Sequence, residues 1–169
     1  MREITAYISL GSNLGDPEDN LRGATEELER LPNLTLSRCS RVYWTEPQGR
    51  KDQPWFANQV AEMLCPAEVT PESLLQTLLN LETRLGRERR PGTPPDSPRV
   101  IDLDLLLFGD VVRSYPDPVL PHPRLQARAF VLVPLLEIAP EIIIPGGLGR
   151  GKDILRRLAH RLEGDKIYQ

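Results

Sequence analysis

Along residues 4–10, Ile4, Ala6, Ile8 and Leu10 alternate with Thr5, Tyr7 and Ser9, the period-two pattern of a half-buried strand. Gly11-Ser12-Asn13 breaks it as a strand-to-helix turn. The period then lengthens. Leu21, Ala24, Leu28 and Leu31 form a helical stripe, with Asp16 as N-cap, Pro17 at the first helical position and acidic Glu18 and Asp19 in the first turn. Pro32-Asn33 closes it. Residues 34–43 and 56–65 read as two strands joined by a polar loop over 44–55 that holds Pro47, Gly49 and Pro54. Thr70-Pro71-Glu72 opens a second helix by the same capping logic. That helix runs through Leu74, Leu75, Leu78, Leu79, Leu81 and Leu85 to a stop at Gly86. A proline-rich loop over 87–98 leads into a further strand over 99–109.

Downstream, residues 111–113 form a short extended piece, and Pro116, Pro118, Pro121 and Pro123 stiffen the connection to an apolar helix over 124–138. A short strand at 142–144 and a last helix marked by Leu155, Leu158 and Leu162 complete the chain, with His160 on its surface. The order β-α-β-β-α-β through Gly109 predicts an α+β fold, a ferredoxin-like, mostly antiparallel sheet with helices on one face. The remaining elements elaborate it into an α/β/α-layered single domain over residues 1–169. No internal repeat interrupts this order.

The strand over 99–109 holds the anomaly of the chain. Asp102 and Asp104 sit two apart and so share a face, about 7 Å apart along it. Ile101, Leu103, Leu105 and Leu107 form the opposite, core-facing side, while Val100, Leu106 and Phe108 flank the carboxylates. Two like charges on a mostly covered strand are costly unless something positive lies between them. Divalent cations would remove that cost, and so would arginines: Arg84, Arg87, Arg89, Arg90 and Arg99 fall in the window just before the strand. Hard oxygen ligands suit magnesium, which shares its remaining sites with water and phosphate. Arginines then neutralise phosphate oxygens with bidentate bonds. Together these residue types make a phosphate-transfer site. Glu82 is a second oddity, because it places a carboxylate beside the apolar stripe of its helix.

Composition narrows the alternatives. The 169 residues carry a net charge of −3, which argues against a general nucleic-acid surface. The apolar region over 129–144 is interrupted by Pro134, Glu137, Pro140 and Glu141, so no membrane span is expected. Cys39 and Cys65 lack metal or redox spacing, which fits a reduced, cytoplasmic protein. Of the 21 basic residues 18 are arginine; coding bias accounts for the excess over the whole chain but less well for the cluster before the aspartates. There is no P-loop, no Gly-x-Gly-x-x-Gly after a strand and no nucleophile elbow, and two histidines cannot supply a zinc site with its usual spacing.

Taken together, the segments Tyr7-Ile8-Ser9-Leu10-Gly11-Ser12-Asn13-Leu14-Gly15, Tyr43-Trp44-Thr45-Glu46-Pro47, Gln53-Pro54-Trp55-Phe56-Ala57-Asn58, Glu82 through Arg87, the 99–109 strand and Pro121-His122-Pro123-Arg124 through Phe130 resemble the 6-hydroxymethyl-7,8-dihydropterin pyrophosphokinase family. The resemblance extends to about residue 145. It implies an enzyme of folate biosynthesis that moves pyrophosphate from ATP to the pterin hydroxymethyl oxygen and releases AMP. Asp102 and Asp104 would hold two Mg2+ ions between the ATP phosphates and the pterin, with Arg87 and Arg99 beside them as catalytic residues. Phe56 and Phe130 would sandwich the pterin, Asn58 would read its edge, Asp102 would face it, and Thr45, Pro47 and Gln48 would close its pocket. Glu82, Arg89, Arg99, Leu105, His122 and Arg128 would serve ATP, Leu105 through its backbone. Small-molecule substrates and a monomer are implied.

One departure stands out. Many members carry Arg-Trp-Gly-Pro-Arg before the aspartate strand, whereas this chain has Pro95-Asp96-Ser97-Pro98-Arg99, so its lid is expected to seal the site differently. Two other readings use the same carboxylates. A non-catalytic binding module would pair them with Arg87 to Arg99, and another magnesium-dependent nucleotidyl or phosphoryl transfer enzyme would not need Phe56, Asn58 and Phe130 to converge.

Overall fold

The computed structural model describes residues 2–88 and 90–169. The first half of the chain follows the predicted order: β1 (Ile4–Ser12), α1 (Pro17–Glu29), β2 (Thr35–Cys39), β3 (Tyr43–Thr45), β4 (Phe56–Cys65), α2 (Pro71–Arg84) and β5 (Asp102–Phe108). Among the described residues one sheet runs β5-β1-β4-β3 and continues through β9 (Lys166–Tyr168) and β8 (Arg161–Glu163), with β2 also on β4. The pairings are antiparallel except β3 with β9. The β5-β1-β4-β2 portion is the ferredoxin-like arrangement.

The predicted strand over 34–43 divides into β2 and β3 at Ser40. Its hydroxyl accepts from the Val60 N–H at 3.0 Å, while Gln59 Nε2 donates to the Ser40 carbonyl at 2.6 Å. The Ser40 N–H still donates to the Val60 carbonyl at 2.9 Å, so side chains replace only the return bond of this pair, and the chain bends along β4.

Alternate strand positions sort into two cores. Ala6, Ile8, Leu10, Ala61, Met63, Leu103 and Leu105 pack against Leu21, Leu28, Leu74, Leu78 and Leu81 of α1 and α2. Val60, Leu106 and Leu107 pack on the other face against Val131, Leu132 and Leu135 of α3 (Ala129–Ile138) and Ile154 of α4 (Gly151–Arg157). The result is α/β/α layering. Leu107 departs from the expected side. Between Tyr7 and Ile8 the β1–β5 register shifts by one residue of β5, a bulge that exchanges the faces of everything beyond it. Leu107 consequently joins the α3 core and Phe108 the α1/α2 core.

The helix expected over 124–138 begins as a 3₁₀ turn, Leu125–Ala127, and becomes α3 after Arg128. The last predicted helix stops at Arg157. Leu162 and the residues around it form the β8–β9 hairpin instead, turned at Gly164 with φ +61°, a conformation suited to glycine. β6 (Ile143–Ile144) pairs with β7 (Gly149–Arg150) in a separate small sheet. No helix among the described residues is long and apolar enough to cross a membrane.

The start of α2 is fixed by a reciprocal cap: Thr70 Oγ1 accepts from the Ser73 N–H at 3.1 Å and Ser73 Oγ accepts from the Thr70 N–H at 3.0 Å. Thr70→Ala is expected to lower stability by about 1 kcal/mol, read as a fall in Tm with turnover retained. An unchanged Tm would show that the cap contributes nothing.

Candidate active site

Asp102 and Asp104 project from the β5 face opposite the α1/α2 core. Their register partners on β1 are Gly11 and Ser9. One strand further, Asn58 of β4 lies opposite Gly11, and Thr45 of β3 lies opposite Phe56. Thus the sheet alone sets Asp102, Asp104, Ser9, Asn58, Phe56 and Thr45 around one floor. Gly11 keeps that floor open: a Cβ there would stand 3.7 Å from Asn58 Oδ1 and 4.0 Å from the Phe56 ring, so any longer side chain would enter the space above them. The walls come from loops and from the start of α3. Glu46, Gln48, Arg87, Pro95, Asp96, Arg99, His122, Pro123, Arg124, Arg128 and Phe130 complete a cavity of about 410 Å³.

The two carboxylates are held differently. Asp102 accepts from Arg87 Nη1 at 2.6 Å and lies 3.6 Å from Arg99 Nε. The same Arg87 nitrogen meets Glu82 at 2.5 Å. Asp104 has no ion-pair partner within 4 Å among the described residues. Burial, then the neighbouring Asp102 charge, push its carboxyl up to about 7, against the opposing pull of Arg128. Arg128 itself is lowered, first by burial and then by Arg124, although Asp104 partly compensates. Arg99 Nε is buried and makes no hydrogen bond. The cavity therefore joins an under-neutralised carboxylate to guanidinium groups with unused capacity for an anion.

His122 is pushed down to about 4 by burial and by Arg128 and Arg124, so it is neutral at pH 7. Its Nδ1 accepts from the Arg124 N–H at 3.2 Å, which assigns the ring proton to Nε2 and leaves a donor. The two aromatic faces are covered by cations: Arg99 stands 5.0 Å over Phe56 and Arg128 5.4 Å over Phe130.

Most of the residues expected from the sequence meet here: Thr45, Gln48, Phe56, Asn58, Arg87, Arg99, Asp102, Asp104, His122, Arg128 and Phe130 all line the cavity. Three do not. Pro47 lies off the lining, between Glu46 and Gln48. Leu105 is buried in the α1/α2 core, because the strand alternation that aims Asp104 outward aims its neighbour inward. Glu82 is 1% exposed and sits behind Asp102, where it accepts from Arg87 and from the Leu103 N–H at 3.0 Å. Arg89 falls outside the described residues.

Ser9, Gly11, Glu46, Pro95, Asp96, Pro123 and Arg124 also line the cavity without being singled out by the sequence, and Asn13 does more than close a turn. Asn13 is 1% exposed and joins three loops. Its amide donates to Gln53 Oε1 at 2.9 Å and the Pro54 carbonyl at 3.1 Å, and its Oδ1 accepts from the Arg99 N–H at 2.9 Å. Gln53 in turn donates to the Asp96 carbonyl at 2.7 Å. The loop that departs from the family sequence is thereby tied to the polar 44–55 loop. The signal for Asn13 was its place after a strand that points at the aspartates; nothing local marked its long-range partners.

A carboxylate pair of hard oxygens fits magnesium, because the ion takes one or two protein carboxylates and fills the rest of its shell with water and phosphate. No cluster of three or more metal-binding side chains occurs among the described residues, which fits an ion shared with a ligand better than a closed protein cage.

A family model described as 7,8-dihydro-6-hydroxymethylpterin-pyrophosphokinase matches residues 7–140. The chain is 46% identical over 143 residues to the 2-amino-4-hydroxy-6-hydroxymethyldihydropteridine pyrophosphokinase of Methylorubrum extorquens, covering 83% of this chain and 86% of that relative. It is 41% identical over 143 residues to the Pseudomonas aeruginosa enzyme of the same name, covering 83% and 84%. In fold it is similar to the crystal structure of Plasmodium falciparum HPPK-DHPS with pteroate, with a TM-score of 0.69 at 13% identity. That likeness covers 92% of this chain and 42% of the longer one.

Proposed function

The chain belongs to the 7,8-dihydro-6-hydroxymethylpterin-pyrophosphokinase family, the ATP-dependent pyrophosphokinases of folate biosynthesis, and we propose that its active site is the cavity over Asp102 and Asp104. In the reaction the hydroxymethyl oxygen of 6-hydroxymethyl-7,8-dihydropterin bonds to the β-phosphorus of ATP, the bond from that phosphorus to the α,β-bridging oxygen breaks, and AMP leaves. The observation that carries the assignment is convergence: Phe56, Asn58 and Phe130 line the same cavity as the carboxylate pair and the arginines. A simple phosphoryl-transfer or nucleotidyl-transfer site has no need of that aromatic and amide wall.

In this reading the flat pterin takes the places that the two guanidinium groups now hold over Phe56 and Phe130, with Asn58 offering donor and acceptor to its edge. Thr45 and Gln48 close that end. Arg99, Arg128 and the Nε2 proton of His122 receive phosphate oxygens, so the buried Arg99 Nε, now only in a 3.6 Å ion pair with Asp102, gains a hydrogen bond. Arg87 stays paired to Asp102 and Glu82 and keeps the Asp102 carboxylate oriented. Asp102 and Asp104 hold magnesium, two ions in this proposal, which when bound neutralises phosphate charge and acidifies the attacking hydroxyl. The arginines do the rest by positioning and charge neutralisation, with no covalent intermediate.

We read the protein as a monomer in the cytoplasm. Cys39 and Cys65 are free thiols, as a reducing compartment keeps them. The deciding experiment supplies ATP, magnesium and the hydroxymethyl dihydropterin and separates the nucleotide products. AMP in step with pterin consumption is expected. ADP, or no nucleotide product, sinks the assignment.

A further inference from the structure

Two residues of β9, Ile167 and Tyr168, and Gln169 just after it reach three segments that carry the cavity walls. The Ile167 carbonyl accepts from Thr45 Oγ1 at 3.2 Å, across the parallel β3–β9 pairing. The Tyr168 ring meets Trp55, the neighbour of Phe56, edge to face with centroids 5.5 Å apart, and Arg161 covers Tyr168 at 4.4 Å. The Gln169 side chain brackets Arg128: its Oε1 accepts from the Ala129 N–H at 2.8 Å and its Nε2 donates to the Ala127 carbonyl at 2.7 Å. Ala129 opens α3, and Arg128, the residue at the cap, makes no side-chain bond to the helix. A first-turn N–H that the helix cannot satisfy internally is thus satisfied by the Gln169 side chain. Ile167 is fully buried with Ala129 and Val133 of α3 and Tyr43 of β3, so the strand also packs between the two walls it links.

We propose that β9 is a clasp that sets the spacing of the substrate-binding walls, and that Gln169 is its positioning residue for Arg128 and Phe130. The inference rests on the pterin pyrophosphokinase reading above. It concerns a hairpin outside the residues that carry the family likeness. The physical argument is geometric. Arg128 and Phe130 flank Ala129, whose N–H Gln169 holds, and the Arg128 peptide is held on both sides. Without those two bonds the start of α3 can rotate, carrying the Phe130 ring away from the Phe56 side of the slot. Asp102, Asp104 and Arg87 belong to β5 and the loop before it, separated from β9 by three strands of the sheet, so the carboxylate pair keeps its place while the two binding residues at the start of α3, Arg128 and Phe130, lose theirs.

The test is the kinetics of Gln169→Ala and Gln169→Glu beside the parent protein, with folding checked by thermal melting. Gln169→Ala removes both bonds and is expected to raise the KM for the pterin, through Phe130, and that for ATP, through Arg128, about fivefold each, the worth of about one net hydrogen bond, while kcat stays within about twofold. Gln169→Glu keeps the acceptor for Ala129 but loses the donor to Ala127, and its KM is expected between the two. A role in stability alone would lower the active fraction, so that kcat per added protein falls and KM does not move. That result overturns the proposal, as does a pterin KM equal to the parent's in an active Gln169→Ala enzyme. If Gln169→Ala does not fold, the folded Gln169→Glu decides: an unchanged KM overturns the clasp. A parent protein that releases no AMP brings down the functional reading itself, a different outcome from either.

Discussion

Asp104→Asn is expected to reduce AMP release by about a thousandfold or more and, at the same time, to make the ligand-free protein more stable at pH 8. The catalytic loss follows from removing one of the two carboxylates proposed to hold magnesium, an interaction of several kcal/mol in phosphoryl transfer. The gain in stability follows from the site's electrostatics. Burial and the Asp102 charge push the Asp104 carboxyl up to about 7 in the folded protein, against about 4 in an unfolded chain. The folded state therefore binds this proton more tightly. Its contribution to stability is present in full below about pH 4 and is lost as the pH rises through 7. At pH 8 the fold bears an ionised carboxylate with no ion-pair partner among the described residues, and an amide of the same shape removes that burden, a gain of about 2–4 kcal/mol. Denaturant unfolding of both proteins at pH 5 and pH 8 measures it, and the difference between them should grow with pH. Magnesium with ATP should then stabilise the parent and leave Asp104→Asn nearly unaffected. A variant that turns over normally, or one less stable than the parent at pH 8, would refute the account. Asp102→Asn separates the two effects, because Asp102 is already paired with Arg87 and Arg99: activity is expected to fall equally, without the gain in stability.

The same electrostatics explain what could be read from the sequence. Asp102 and Asp104 were visible because strand alternation is local, and a charged pair in an apolar run violates it in a way one line of residues displays. Both caps, at Asp16 and Thr70, are local as well and appear as expected. The two explanations for the aspartate pair divide between its members: arginines pair with Asp102, while Asp104, without an ion-pair partner among the described residues, is the one we propose to meet a ligand. That division was not legible, since it depends on where a 15-residue separation along the chain places Arg87. Leu107 was assigned to the wrong face because a bulge against β1 is a property of two strands, not of one. The β8–β9 hairpin was read as helix because Leu155, Leu158 and Leu162 fit a helical period by coincidence. Gly164, at the turn, was the contrary signal. Asn13 and Gln169 act only through partners 40 or more residues away. No pattern within a window can announce such contacts.

Glu82 carries the second large expected effect, and it is one of stability. Glu82→Ala should cost about 3–5 kcal/mol, because among the described residues its buried carboxylate serves both a backbone N–H and a half-buried guanidinium. It accepts the Leu103 N–H of β5, the edge strand of the sheet among the described residues, whose outward donors there meet no further strand. It also meets Arg87, which is 16% exposed and is shared with Asp102. Alanine leaves the Leu103 N–H without that acceptor, a loss of about 1–3 kcal/mol by itself. It also removes one of the two carboxylates around a guanidinium that burial already penalises. Glu82→Gln is the control. Its amide oxygen still accepts from Leu103 but carries no charge for Arg87, so the cost should fall to about 1–2 kcal/mol. Urea unfolding of the two variants separates these contributions, and an equal, sub-kilocalorie cost for both would show that Glu82 braces neither group. The helix position that looked misplaced on the apolar stripe is thus the brace by which α2 holds β5 and Arg87 in register. Loss of turnover in Glu82→Gln at full folding would then trace to Arg87, freed to leave Asp102, rather than to any contact of Glu82 with substrate.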